Sequence, residues 1–327
     1  MARSVRRYVT IGIVIAGAGL WLATPPAASA QPTVSIPLTA TTSEDGPVTV
    51  VDVAIGGKTL TVLLDTGSYG LRLVASQVPP DAVHRTGPSP QFTFASGVQV
   101  SGDLAQASVR IGGVDTAGEI PIQLVTNTSC APGRPDCPAA GGKKPVMFGR
   151  EFDGIMGVSM FPAEGLVNPL WRLRDGVGHV FTVHYDRGGG SSILLGEPEA
   201  GFSLVHVGKA SPASVPDAPP AWDPAMAGCF TVAGLPGGKH CGPAVFDSGT
   251  TTIEIRAPDA HGSDVPPGTA IDLSVGDGAF SHTYTTAPGT RAAIIAAGGN
   301  SIPGLPAFAA TDIRYDLVAG TIGFRPR

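Results

Sequence analysis

Basic residues are scarce in this chain and nowhere gather into a run with interleaved aromatics; 14% of the 327 positions are charged and the formal net charge is −5. Such a surface repels a phosphate backbone, so nucleic acid is not expected as a partner. Several common chemistries lack their sequence patterns. Seven histidines (His84, His179, His184, His206, His240, His261 and His282) form no H-E-x-x-H. His179 and His184, five apart, would fall on opposite faces of a strand, so all seven are read as surface or structural and no metal is expected. No G-x-S-x-G elbow occurs, and GGKKP at 141–145 lacks the spacing and the Ser or Thr of a phosphate loop. No cofactor is expected.

Long apolar runs are also missing, with one exception near the start. Arg3, Arg6 and Arg7 precede an apolar stretch from Val9 to Leu22, and Ala28-Ser29-Ala30 supplies small residues for cleavage. Residues 1–30 therefore read as a signal peptide cleaved after Ala30, with the mature protein secreted or associated with the cell envelope. The stretch is shorter than the roughly 20 residues that span a bilayer, and Pro25-Pro26 follows it, so a lasting membrane span is not expected. Past residue 30 the chain holds 18 Lys plus Arg against 26 Asp plus Glu, a net charge of −8.

The four cysteines form two local pairs, Cys130 with Cys137 and Cys229 with Cys241. In an exported chain these read as two hairpin-closing disulfides; neither gap is the two to four residues that zinc sites favour.

What is abundant is strand pattern. Short Val, Ile, Thr and Leu segments alternate with Gly, Pro, Asp and Asn clusters, as in VTVVDVAIGGKTLTVLLD and IDLSVGDGAF, which points to an all-β chain. The best helical candidates are short, at 166–173, 291–297 and 306–310. Pro/Gly-rich linkers sit at 131–145, 186–192 and 208–224. The middle one divides the chain into two β lobes, 31–187 and 188–327. Trp171, Trp222 and the scattered phenylalanines read as core, and Asn127-Thr-Ser129 is a glycosylation sequon relevant only in a glycosylating host.

One pattern occurs twice. Val62-Leu-Leu-Asp-Thr-Gly-Ser68 and Ala244-Val-Phe-Asp-Ser-Gly-Thr250 each run apolar residues into an aspartate, a hydroxyl residue and a glycine, 182 positions apart. A single copy is usually only a turn. Two copies, one per lobe, can bring two carboxylates face to face. Carboxylates about 3 Å apart cannot both ionise easily, so they share one proton. A water held between them can be deprotonated by one while the other donates to the developing oxyanion of an amide.

With these residues in view, the sequence resembles the pepsin-like aspartic peptidases over nearly all of the mature chain. Phe152-Asp-Gly-Ile-Met-Gly157, Phe181-Thr-Val-His-Tyr185, Ser192-Ile-Leu-Leu-Gly196, Ile313-Arg-Tyr-Asp316 and Thr321-Ile-Gly-Phe324 are similar to the family's later segments in order and spacing. Asp65-Thr-Gly-Ser-Tyr-Gly-Leu-Arg72 is similar to an exported bacterial branch with D-T-G-S-x-G-L-R. The resemblance implies a bilobal double β-barrel fold with few short helices, a monomer, and an extended polypeptide as substrate. It implies Asp65 and Asp247 as the catalytic pair, Ser68 and Thr250 as hydroxyls bonding their outer oxygens, and Gly67 and Gly249 as turn glycines.

The departures concern the substrate side. The flap is expected at Phe92–Gly97, with Phe94, Ser96 and Gly97 over the cleft. Phe94 stands in place of the family's usual tyrosine and Arg72 in place of that tyrosine's tryptophan partner. In the second lobe the hydrophobic-hydrophobic-glycine element is Ser301-Ile-Pro-Gly304, 57 residues beyond Asp247, whereas Gly157 lies 92 beyond Asp65. Two functional readings follow: a secreted aspartic endopeptidase active at acidic pH, or a catalytically weak fold that binds extended peptides or cell-envelope components without cleaving them.

Overall fold

A computed structural model describes residues 33–43, 46–140, 152–162, 165–211, 215–234, 238–258, 261–286 and 291–327. The expected signal peptide, its cleavage point and the GGKKP segment lie outside the described residues. The architecture is nearly all β and bilobal. In the first lobe, nine strands between Thr39 and Val158 form one sheet that curls until Gly46–Ile55 pairs with Val98–Ile111, joining Val53 to Ile111. In the second lobe, two four-stranded sheets are built from strands between Met226 and Pro303.

A six-stranded sheet is shared by the two lobes. Its order is Val34–Pro37, Ser192–Leu195, Val180–His184, Thr311–Asp316, Thr321–Pro326 and Ser203–His206, so the segments 181–185, 192–196, 313–316 and 321–324 lie together in it. Phe181 stacks on Tyr315 with centroids 5.0 Å apart, and Phe246 packs on Phe324 at 4.8 Å. These rings belong to an apolar core that continues from Leu64 of the first lobe to Phe246 of the second, so burial of aromatic area ties the lobes together beneath their facing loops. Trp171 and Trp222 are partly buried against the same core.

The strand Lys58–Asp65 shows why an aspartate can stand at the end of an apolar run. Its first half alternates between exposed and buried positions, whereas residues 62–65 are all buried, because the strand there passes between neighbours on both sides. One neighbour is Gly154–Val158, which pairs parallel with it (Gly157 opposite Asp65) and antiparallel with Tyr69–Val74 (Gly157 opposite Gly70). The Ser159 amide donates to the Ser68 carbonyl at 2.8 Å and fastens the loop. The second lobe repeats this with Ser301-Ile-Pro-Gly304. Ala244 bridges Ser301 in parallel, Ile302–Pro303 pairs antiparallel with Thr252–Arg256, and the Leu305 amide donates to the Thr250 carbonyl at 2.7 Å.

One expected element differs. The stretch 291–297, read as helical, contains the strand Arg291–Ile295, parallel to Thr252–Arg256. Ala292 and Ile294 are buried and their neighbours are not, a two-residue period that Arg-Ala-Ala-Ile-Ile satisfies as readily as a helical one; pairing with the neighbouring strand decides. The other helical candidates give a 3₁₀ turn at Pro169–Arg172 and a short α-helix at Leu305–Phe308. Both expected disulfides are formed, Cys130–Cys137 and Cys229–Cys241. Among the described residues, no helix is long and apolar enough to cross a membrane.

Candidate active site

The two loops meet face to face. Within the first, the Gly67 and Ser68 amides donate to Asp65 Oδ1 at 2.8 and 3.1 Å, and the Ser68 hydroxyl donates to Oδ2 at 2.6 Å. Within the second, the Gly249 amide donates to Asp247 Oδ1 at 2.8 Å and the Thr250 hydroxyl donates to Oδ2 at 2.7 Å. Each carboxyl therefore has one oxygen held by backbone and one by a hydroxyl, which fixes its plane and orientation.

Between the loops the hydrogen bonds are reciprocal. The Thr66 amide donates to Ser248 Oγ at 3.1 Å, and the Ser248 amide donates to Thr66 Oγ1 at 2.9 Å. The same hydroxyls then donate onward, Thr66 to the Phe246 carbonyl and Ser248 to the Leu64 carbonyl, both at 2.9 Å. Thr66 and Ser248 are each 1% exposed, so these bonds work without competition from water. The position after each aspartate thus carries a function that the sequence reading assigned only to its neighbours; a hydroxyl at that place in both copies was the available signal.

This clasp sets the separation of the carboxyls. A Cβ on Gly67 would lie 2.5 Å from Asp247 Cγ, and one on Gly249 would lie 2.9 Å from Asp65 Cγ. No other residue fits at either place, so each glycine is required by the opposite lobe's aspartate. Both carboxyls line the same cleft floor, and two carboxyls so placed cannot both ionise easily, so one proton stays with the pair. Burial is the largest influence on Asp247 and raises its pKa well above the usual carboxylate range. The charge of Asp65 raises it further, and the bonds from Thr250 and Gly249 oppose the shift.

A cleft of about 230 Å³ lies over the pair. Its floor is Asp65, Gly67, Ser68, Asp247, Gly249 and Thr250, and its roof is the turn joining Phe92–Thr93 to Val98–Ile111, including Phe94 and Ser96. The turn is closed by the Phe94 amide to the Val98 carbonyl at 2.8 Å and the Gly97 amide to the Phe94 carbonyl at 2.9 Å. Gly97 faces away from the cleft, towards the loop that Cys130–Cys137 closes. That loop supports the turn from behind: the Ala131 amide donates to the Gly97 carbonyl at 2.8 Å, and the Arg134 guanidinium reaches the carbonyls of Ala95 and Ser96. Cys229 and Cys241 lie opposite one another on the paired strands Met226–Val232 and Lys239–Ala244 and are absent from the cleft lining.

Arg72 is 1% exposed, and its guanidinium lies 4.0 Å from the centre of the Phe92 ring and 5.9 Å from that of Phe94. It sits on the strand Tyr69–Val74, and the ring it touches most closely is that of Phe92, the first residue of the expected flap segment, and not Phe94. Burial lowers its pKa to about 10, with the charge of Asp65 acting in the other direction, so it stays cationic at acidic and neutral pH.

A family model described as "Protein of unknown function (DUF3443)" matches residues 29–166. No curated protein matches the chain. Among solved structures, the chain is similar to the aspartic proteinase from Irpex lacteus, with 14% sequence identity and a TM-score of 0.59, over 90% of this chain and 97% of that one. At that identity the likeness speaks for the fold.

Proposed function

We propose that this chain is an exported aspartic endopeptidase that cleaves extended polypeptides at acidic pH, with Asp65 and Asp247 as the catalytic pair. The observation that carries the reading is the reciprocal clasp of Thr66 and Ser248, which presses each turn glycine against the opposite carboxyl. A fold that used these loops only as turns would need neither the interlobe bonds nor the approach of two carboxyls at the floor of a cleft. Placement of a peptide carbonyl above the pair lets the ionised member take a proton from the water between them as it attacks. The member that keeps the proton, Asp247 by its environment, donates to the oxyanion, and the intermediate collapses as the leaving nitrogen is protonated. Ser68 and Thr250 hold the outer oxygens so that the carboxyls do not rotate out of plane. Export is supported by the composition of residues 1–30 and by two disulfides with no free cysteine among the described residues.

The second reading, binding without cleavage, has one observation in its favour: Phe94 brings no hydroxyl to the roof of the cleft. Digestion of a peptide library across a pH series separates the two. The endopeptidase reading expects cleavage at acidic pH, inhibition by a statin-type hydroxyl that mimics the tetrahedral intermediate, indifference to chelators, and loss of cleavage in both Asp65→Asn and Asp247→Asn. Full activity in either variant sinks it.

A further inference from the structure

A second cavity, of about 340 Å³, opens beside the cleft and shares Gly67, Ser68 and Phe92 with it. Its sides are apolar, with Leu104 and Leu166 on the wall and Phe161, half-exposed, at the rim, but the buried polar side chains Ser68, Arg72, Gln123 and Ser159 also line it. Arg72 lies opposite Ile155 on one neighbouring strand and opposite Gln123 on the other. Its Nη1 donates to the Tyr69 carbonyl, its Nε has no partner, and among the described residues no carboxylate pairs with it. Gln123, 2% exposed, donates from Nε2 to the Ser89 hydroxyl at 2.6 Å and to the Pro90 carbonyl at 3.3 Å, which leaves Oε1 as a buried acceptor without a partner.

A buried guanidinium with no carboxylate in direct contact, only the more distant charge of Asp65, and a neighbouring orphan acceptor are both costly to keep, and their cost is recovered when a ligand supplies the missing groups. We propose that Arg72 is the specificity-determining residue of a subsite that receives an acidic side chain of the substrate polypeptide beside the scissile bond. The apolar walls cover the methylene stem of a glutamate while its carboxylate pairs with the guanidinium. At acidic pH, a retained carboxyl proton can be donated to Gln123 Oε1, so the two orphans together accept the acid in either protonation state. A leucine would leave both unsatisfied, and a lysine would oppose the cation. A glutamine side chain matches the hydrogen bonds but not the charge, which makes it the decisive competitor. This inference rests on the endopeptidase reading for the location of the scissile bond, and its test keeps the two separable.

The probes are labelled octapeptides carrying Glu, Gln, Leu or Lys at each position in turn. They are titrated against the Asp247→Asn chain near pH 5.5, above the ordinary glutamate pKa of about 4.3. The expected result is one position at which Glu binds about tenfold or more tighter than Gln, with the ratio collapsing to within about twofold when Arg72→Met is added and partly retained with Arg72→Lys. Circular dichroism verifies that the variants fold, and the Glu-to-Gln comparison on the Arg72 chain needs no variant at that residue. Equal binding of Glu and Gln, preference for Gln, discrimination that survives Arg72→Met, or no binding by any peptide would overturn the inference. Cleavage by the native chain without acid preference also sinks the subsite and leaves the peptidase; acid-selective binding with no cleavage at any pH sinks the peptidase and leaves the subsite.

Discussion

Thr66 and Ser248, 182 positions apart, each accept the other's backbone N–H and each donate their own hydroxyl to the carbonyl of the residue just before the other loop's aspartate. Neither residue touches solvent appreciably, so removal of one hydroxyl leaves a buried amide unsatisfied and takes a donor from a buried carbonyl; for Phe246 only the longer bond from the Tyr315 hydroxyl at 3.4 Å remains. Thr66→Val and Ser248→Ala are each expected to cost about 1 to 3 kcal/mol in chemical denaturation. The double variant should cost less than the two together by at least about 0.5 kcal/mol, because once one hydroxyl is lost the loops separate and the second has less to hold. Additive costs would show that the loops are positioned by the shared sheet alone.

Asp247 fixes the direction of the pH dependence. Its pKa in the folded chain lies above the ordinary value of 3.8, so the folded state keeps a proton that the unfolded state has released. The stability this proton contributes is fully present below pH 3.8, declines as pH rises towards the raised value and then levels off. Asp247→Asn mimics the protonated carboxyl permanently, so its melting temperature relative to the native chain should climb as pH moves from acid to neutral. A difference in melting temperature that is flat with pH would contradict this.

Phe92 and Phe94 stand in edge-to-face contact at 4.9 Å, yet they are not equivalent. The Arg72 guanidinium lies closer to Phe92 by nearly 2 Å, within the range where a desolvated cation over a ring contributes up to about 2 kcal/mol. Phe92→Leu is expected to lower the denaturation midpoint more than Phe94→Leu, and the gap should close when Arg72→Met is present. An equal loss in both, or a gap unaffected by Arg72→Met, would place the stabilisation elsewhere.

The two disulfides should differ in what they affect. Each closes a short loop, spanning 7 and 12 positions, worth about 2 to 3 kcal/mol of chain entropy. Replacing Cys130 and Cys137 by serine loosens the loop behind the Phe94–Gly97 turn and should raise KM as well as lower the melting temperature. The Cys229 and Cys241 replacement should lower the melting temperature alone. Peptide cleavage assays below both melting points compare them.

The parts of the molecule that were legible in the sequence are those whose signal is local or repeated. Asp65 and Asp247 announce themselves by the duplicated loop, and the four cysteines pair with their nearest neighbours. The strands 181–185 and 313–316 stand out by resemblance. What stayed hidden depends on residues distant in the chain. The run 291–295 is a strand because Thr252–Arg256 offers it an edge. Thr66 and Ser248 read as ordinary turn residues until the lobes face one another. Arg72 reads as the loss of a tryptophan, and only the cavity beside it shows a buried cation with an open donor.

The later strands have a consequence for the life of the chain before it is complete. The first loop is fastened by Ser159, but the second is fastened by Ser301 and Leu305, and the sheet beneath both is completed by Thr321–Pro326. A polypeptide made N-terminus first carries both aspartates before it carries these fasteners. The second loop therefore lacks its fasteners on a chain that has not yet reached Ser301 and Leu305. Long-range pairing of this kind also forms slowly. Assembly order thereby ties the pairing of the two aspartate loops to completion of the last strands.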